Sequence, residues 1–223
     1  MAQAPSLDTI LAKHLEARGG LARIKALRSL HSEGTLQLGP MVLQLRIDNP
    51  RGAFRSETRF QGLTKVEAFD GTEGWIDDPF TEPGRGPHAM SPAQLRQMAL
   101  QMDFDGPLVE PEAKGHRVSF LGTARVGGVE AYVLRVQLAG GGELRSYLDT
   151  ATFMEVKAEN EAVAQGKTVI VETLLGDYRP VKGVLLPFCL EIRPKGQVEG
   201  MAIRFAHVDA DTPMDEARFR KPR

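Results

Sequence analysis

The sequence predicts a mainly β fold of the α+β kind: one antiparallel sheet of about eleven strands, curled, with helices covering its concave face. Three observations carry this. From residue 41 onward, apolar and polar residues alternate with a period of two over most of the chain. Turn-forming groups such as Asn49-Pro50-Arg51-Gly52, Gly127-Gly128 and Gly140-Gly141-Gly142 interrupt the alternation at hairpin spacing. Helical spacing appears only near residues 6–27 and 91–103. So many strands exceed a comfortable flat sheet, which is why the sheet is expected to curl.

The first helix follows Ser6, a good N-cap. It carries Leu7, Ile10, Leu11 and Leu15 on one face and stops at Gly19-Gly20, where glycine takes a left-handed conformation easily. Leu21, Ile24 and Leu27 make a second short helix. The period then changes. Met41, Leu43, Leu45 and Ile47 alternate with Gln44, Arg46 and Asp48, and Phe54–Phe60, Leu63–Phe69 and Gly74–Asp77 continue as half-wet antiparallel strands. Residues 78–90, with Pro79, Pro83, Gly84, Gly86 and Pro87, permit neither helix nor ladder. Ser91, Pro92 and Gln94 then form a capping-box start for a helix striped by Leu95, Met98 and Met102, closed by Asp105-Gly106-Pro107. Beyond His116 the pattern is β throughout: around 118–120, 132–138, 144–148, 154–158, 169–175, 184–192 and 201–208. No internal repeat or linker divides the 223 residues, so a single domain over 1–223 is expected.

Composition excludes several classes of function. Lysine plus arginine number 28 against 29 acidic residues, a balance unlike that of a phosphate-gripping domain. Hydrophobic residues make up 42%, too many for a disordered chain. Cys189 is the only cysteine, so the chain has no internal disulfide and no zinc framework. No apolar run is long enough to span a bilayer as a helix. The opening Met1-Ala2-Gln3-Ala4-Pro5-Ser6 lacks the features of a signal peptide. Either the chain is cytoplasmic, or it is an exported product whose signal has been removed.

Catalytic signatures are missing from the sequence. No histidine has another at i+2 or i+4 to pair on a metal, and His14 reads as a boundary residue of its helix. Cys189 sits in an apolar run and reads as a buried structural cysteine. Asp103-Phe104-Asp105-Gly106, Asp209-Ala210-Asp211 and Asp77-Asp78 read as turn chemistry, since no calcium loop is complete. Nucleophile-elbow, P-loop and dinucleotide motifs do not occur. The basic end, Arg218, Arg220, Lys221 and Arg223, reads as a solvated tail. Two apolar features stand out. Met90, Met98 and Met102 gather at the helical insertion, as adaptable surfaces do, although an ordinary core helix has the same composition. Val184–Leu190 is apolar on both faces and needs cover on both.

An ordered series of motifs spans nearly the whole chain. It runs from Ala17-Arg18-Gly19-Gly20 through Asp70-Gly71-Thr72-Glu73-Gly74-Trp75, Asp78-Pro79-Phe80 and Asp103-Phe104-Asp105-Gly106-Pro107-Leu108. Tyr147-Leu148-Asp149, Gly176-Asp177-Tyr178-Arg179-Pro180-Val181, Gly183-Val184-Leu185-Leu186-Pro187-Phe188 and Phe219-Arg220-Lys221-Pro222 complete it. In this series the chain resembles the LolA-like outer-membrane lipoprotein-sorting proteins, in their broad branch. The resemblance implies a strongly curved antiparallel half-barrel with helices on its concave side. It also implies a periplasmic carrier of lipoprotein or lipid acyl chains, without cofactor or catalysis, working between membrane-anchored donor and acceptor proteins. The chain has no residue matching the lid-latching polar contact of the carriers proper.

On that reading the helix of Leu95, Met98 and Met102 is a movable lid. Leu43, Leu45, Phe54, Trp75, Leu134, Val136, Leu186 and Phe205 then join it in lining an apolar cavity. A one-residue slip would invert each strand's contribution. Two other functions compete: an envelope sensor or interaction module on the same fold, which binds a protein partner, and a hydrolase, for which only abundant carboxylates argue.

Overall fold

A computed structural model describes residues 5–164 and 167–222. The described chain is β-rich, with three α-helices: α1 (Leu7–Ala17), α2 (Leu21–Ala26) and α3 (Pro92–Met102). The strands, all antiparallel to their neighbours, are β1 (Ser29–Leu38), β2 (Met41–Pro50), β3 (Phe54–Phe60), β4 (Leu63–Phe69), β5 (Gly74–Asp77), β6 (His88–Ala89), β7 (Arg117–Val126), β8 (Val129–Gln137), β9 (Glu143–Asp149), β10 (Glu155–Ala164), β11 (Lys167–Val181), β12 (Val184–Pro194) and β13 (Met201–Ala210). Two compact units divide them. One comprises residues 1–26 and 105–200, the other residues 27–104 and 201–223.

The first unit holds α1, α2 and the strand order β12-β11-β10-β9-β8-β7. The Ser6 hydroxyl accepts from the Thr9 amide and starts α1, while Gly19 and Gly20, both at positive φ, end it. One face of α1 is apolar, and Ile10 is buried with Leu134, Val136, Leu144, Leu148 and Leu108. The opposite sheet face buries Ala131, Val133 and Tyr147, with the Lys157 ammonium 4.2 Å from the Tyr147 ring centre. His14 is no boundary residue. It is buried, and its Nδ1 donates to the Phe153 carbonyl at 2.8 Å. Burial lowers its pKa to about 4, against a smaller upward pull from that hydrogen bond.

The second unit has the strand order β6-β5-β4-β3-β2-β1-β13, which brings both ends of its sequence together through the β1–β13 pair. Its α3 starts with the full capping box: the Gln94 amide donates to Ser91 Oγ at 3.3 Å and the Ser91 amide to Gln94 Oε1 at 2.8 Å. The C-terminal segment is not a solvated tail. A single 3₁₀ turn (Glu216–Phe219) is held onto the sheet, with Phe219 buried and its carbonyl accepting from Trp75 Nε1 at 2.7 Å. The Arg218 guanidinium bridges two buried carboxylates, Asp48 at 2.9 Å and Glu57 at 2.8 Å. Burial pushes the Glu57 pKa up. Hydrogen bonds from Arg55, Arg59 and Arg218 outweigh that and hold it at about 2.

These arrangements correct the expected fold class. Among the described residues thirteen strands form, not eleven, and they make an antiparallel sheet in a linear order, neither strongly curved nor closed. The half-barrel is therefore overturned. Strand count alone suggested curling around a shared concave cavity. Instead each unit covers its own apolar face with its own helix, α1 in one and α3 in the other, so no deep concavity is needed for burial. The two strands missing from the sequence reading are β1, whose apolar parity is diluted by Ser32 and Gly34, and β6, only His88–Ala89. Gly34 is needed there, because a Cβ would sit 2.1 Å from the Arg204 carbonyl oxygen.

Two outcomes are expected. Arg218→Ala should cost about 2 kcal/mol in urea unfolding at pH 7, because it takes the bridging cation from two buried carboxylates, Asp48 and Glu57. The folded-state pKa of Glu57 lies below its unfolded value, so the gap between wild type and variant should shrink as pH falls from 4.5 toward 2. His14 also has a lowered pKa, so the unfolded chain takes up its proton first. Stability should fall by up to roughly 3 kcal/mol between pH 6.5 and 4. His14→Gln keeps a donor for Phe153 and should flatten that slope in paired pH 7 and pH 4.5 unfolding curves.

Candidate functional site

The register assigns each predicted lining residue to a face. In the second unit Ile47 pairs Ser56, Ser56 pairs Glu67 and Glu67 pairs Ile76, so these positions share a face. Phe54, two residues from Ser56, and Leu43 and Leu45, in step with Ile47, lie on it too. Leu45 pairs Gly34 and Gly34 pairs Phe205, which adds Phe205. This face receives α3. Met98 is buried on it with Phe54, Ile76 and Met90, while Leu95, Met102, Ile47 and Phe69 pack around them, partly buried.

Trp75 follows the other parity. It lies on the opposite face with Val66 and Ala68, under the 3₁₀ turn, and the Arg55 guanidinium stacks 5.5 Å from its ring. Leu134 and Val136 belong to the α1 cluster of the first unit. Leu186, in that unit also, is buried in β12. The structure thus brings Phe54, Leu95, Met98 and Met102 into one cluster, with Leu43, Leu45 and Phe205 farther along the same face. Trp75, Leu134, Val136 and Leu186 are elsewhere. Cys189 is half-exposed rather than buried.

Three features describe how α3 is seated. First, the contact is made largely by Met90, Leu95, Met98 and Met102, unbranched or flexible chains that repack at low cost. Second, Gly74 lets the helix approach, since a Cβ there would come within 2.3 Å of Leu95 Cδ2 and 3.2 Å of Met90 Sδ. Third, the polar tie at the far end is incomplete. Asn49 Nδ2 donates to the Gln101 carbonyl at 3.0 Å, but the buried Asn49 Oδ1 has no hydrogen-bond partner among the described residues. Beyond α3 the same face ends in apolar side chains. Leu38 pairs both Met41 and Met201, and all three are exposed.

Beside the N-terminus of α3 a cleft of about 410 Å³ opens among Lys65, Glu67, Ile76, Asp78, Glu82, Arg85, His88 and Met90. Sequence reading missed it, because its wall is the irregular segment 78–87. Asp78 organises that segment, its Oδ1 accepting from the Phe80 amide at 3.0 Å and the Thr81 amide at 3.2 Å. The Asp-Pro-Phe motif was the available signal, although it spoke only of a turn. Among the described residues, no group of three or more His, Cys, Asp or Glu side chains is placed to hold a metal ion.

No protein-family model matches the chain, and no curated protein matches it by sequence. Solved structures do. A LolA superfamily protein from Nitrosomonas europaea superposes with a TM-score of 0.62 at 13% identity, over 98% of this chain and 99% of that one. The fold is LolA-like. A domain described as outer-membrane lipoprotein-sorting, from Vibrio parahaemolyticus, gives 0.61 at 12% identity, over 96% and 97%. A DUF1329 family protein from Desulfovibrio piger gives 0.56 at 8% identity, over 97% and 98%. At such identities the LolA-like likeness speaks for the backbone. Among the described residues, no helix is long and apolar enough to cross a membrane.

The seating of α3 yields a direct test. Gly74→Val should push Leu95 and Met90 outward and loosen α3. The expected result is faster limited proteolysis within 90–103, with the β-sheet circular dichroism retained. Unchanged cleavage would show that the close approach at Gly74 does not control the helix.

Proposed function

We propose that the chain is a periplasmic, non-catalytic carrier of lipoprotein or lipid acyl chains, acting as one domain without a cofactor. Cargo enters the second unit between the sheet face and α3. Membrane-anchored proteins donate and accept it. The observation that carries this reading is the α3 contact: a short helix, rich in methionine, laid over Phe54 and Ile76 on a sheet face that continues in exposed Leu38, Met41 and Met201. The LolA-like fold supports it.

Energetics are compatible with reversible loading. Each acyl methylene taken from water contributes about 0.8 kcal/mol, so a chain laid along the face recovers the contacts that Met98 and Leu95 give up when α3 lifts. Such a site needs apolar area and a movable cover, not a positioned polar triad. On this reading Leu43, Leu45, Phe54, Leu95, Met98, Met102 and Phe205 touch cargo.

Native mass spectrometry of gently purified protein should find lipid mass adducts, and a fluorescent fatty acid should bind and be displaced by unlabelled oleate. Met98→Asp should weaken that binding at least about tenfold. Binding unaffected by Met98→Asp would remove α3 from the site. A stable protein partner in pull-down, with neither lipid adducts nor transfer between vesicles, would overturn the carrier reading in favour of an interaction module.

A further inference from the structure

The polar cleft beside α3 has no part in acyl burial, yet it adjoins the surface where that burial is proposed. Ile76 and Met90 line its floor and also belong to the cluster under α3, and Ser91 and Gln94 of the capping box line its rim. An amphiphile with its chain under α3 would therefore have its polar end at this cleft.

The charges there are mixed and paired. Lys65 Nζ lies 3.3 Å from Glu67 and 3.5 Å from Asp78, Arg85 Nη1 lies 2.6 Å from Glu82, and His88 Nε2 lies 3.2 Å from the second Glu82 oxygen. Two fixed cations face three carboxylates. The pairs of Lys65 with Glu67 and of Glu82 with Arg85 and His88 are partly exposed and contribute little stability each, so exchanging them for a ligand costs little, while the buried Asp78 stays in place as a fixed charge. A purely anionic group would gain Lys65 and Arg85 but meet the three carboxylates. A purely cationic group would meet Lys65 and Arg85. A group with both charges can take over both halves of the network without leaving a bare charge behind.

We propose that this cleft is a headgroup subsite for a zwitterionic phosphoethanolamine group, with phosphate toward Lys65 and Arg85 and ammonium toward Glu82, Glu67 and Asp78. The inference rests on the carrier reading above and makes it specific: the preferred cargo is a neutral zwitterionic amphiphile rather than an anionic one. The segment 78–87, braced by the Asp78 side chain, becomes the wall that frames the headgroup.

The test compares short-chain dihexanoyl phosphatidylethanolamine with dihexanoyl phosphatidylglycerol by calorimetry on the full chain, alongside binding of the fluorescent fatty acid. The ethanolamine lipid should bind at least about fivefold more tightly. Glu82→Gln and Lys65→Gln should bring that preference to near unity, with the fatty acid still bound. Free phosphoethanolamine identifies the source. Weak competition by it supports a lipid headgroup site, and binding as tight as that of the lipid supports the same charge recognition for a soluble compound. Equal affinity for both lipids, or a preference that survives both substitutions, overturns the headgroup subsite while fatty-acid binding keeps the carrier reading intact. Loss of lipid and fatty-acid binding in the wild type overturns both.

Discussion

Cover is the constraint on which this structure depends. Antiparallel strands that alternate dry and wet can leave one face in water, but here apolar residues occupy both faces, and three short helices must serve them. In the first unit α1 takes one face, and Tyr147 with its lysine partner closes the other. In the second unit α3 takes one face, while the other is closed by the 3₁₀ turn that Arg218 and Trp75 hold down.

The two covers of the second unit differ in kind. The 3₁₀ turn is fastened by charge-assisted hydrogen bonds to Asp48 and Glu57 and by an indole bond to the Phe219 carbonyl. Such contacts are directional and are lost as a set. α3 rests on dispersion and apolar burial, through thioethers and Leu95, with one incomplete amide contact. Those forces have no required geometry, so another apolar body can replace the helix side chains. The same sheet thus has a fixed cover on one side and an exchangeable one on the other. This asymmetry is why the proposed cargo site is placed at α3 and not under the 3₁₀ turn.

Much of this was legible in the sequence, for local reasons. Ser6, Gly19-Gly20 and the Ser91/Gln94 capping box mark helix ends because those side chains and backbone conformations act within a turn of where they stand. Long-range facts were not legible. Trp75 and Phe54 both read as inward, yet the pleat sends them to opposite faces, and only strand register decides which. Arg218 looked like tail because Asp48 and Glu57 lie far away in sequence. Curvature was misjudged for the same reason: strand number says nothing about how burial is shared between units.

The Gly19 contact reaches into how the molecule comes to exist. A Cβ at Gly19 would stand 2.1 Å from the Gly183 carbonyl oxygen, and the Leu185 amide donates to the Arg18 carbonyl at 2.9 Å. The end of the first helix is thus seated on a turn made more than a hundred residues later. Synthesis delivers α1 long before that seat exists, and β1 likewise waits for β13. An emerging chain therefore exposes the Ile10 face of α1 until the strands that bury it, with Leu134, Val136, Leu144 and Leu148, have been made.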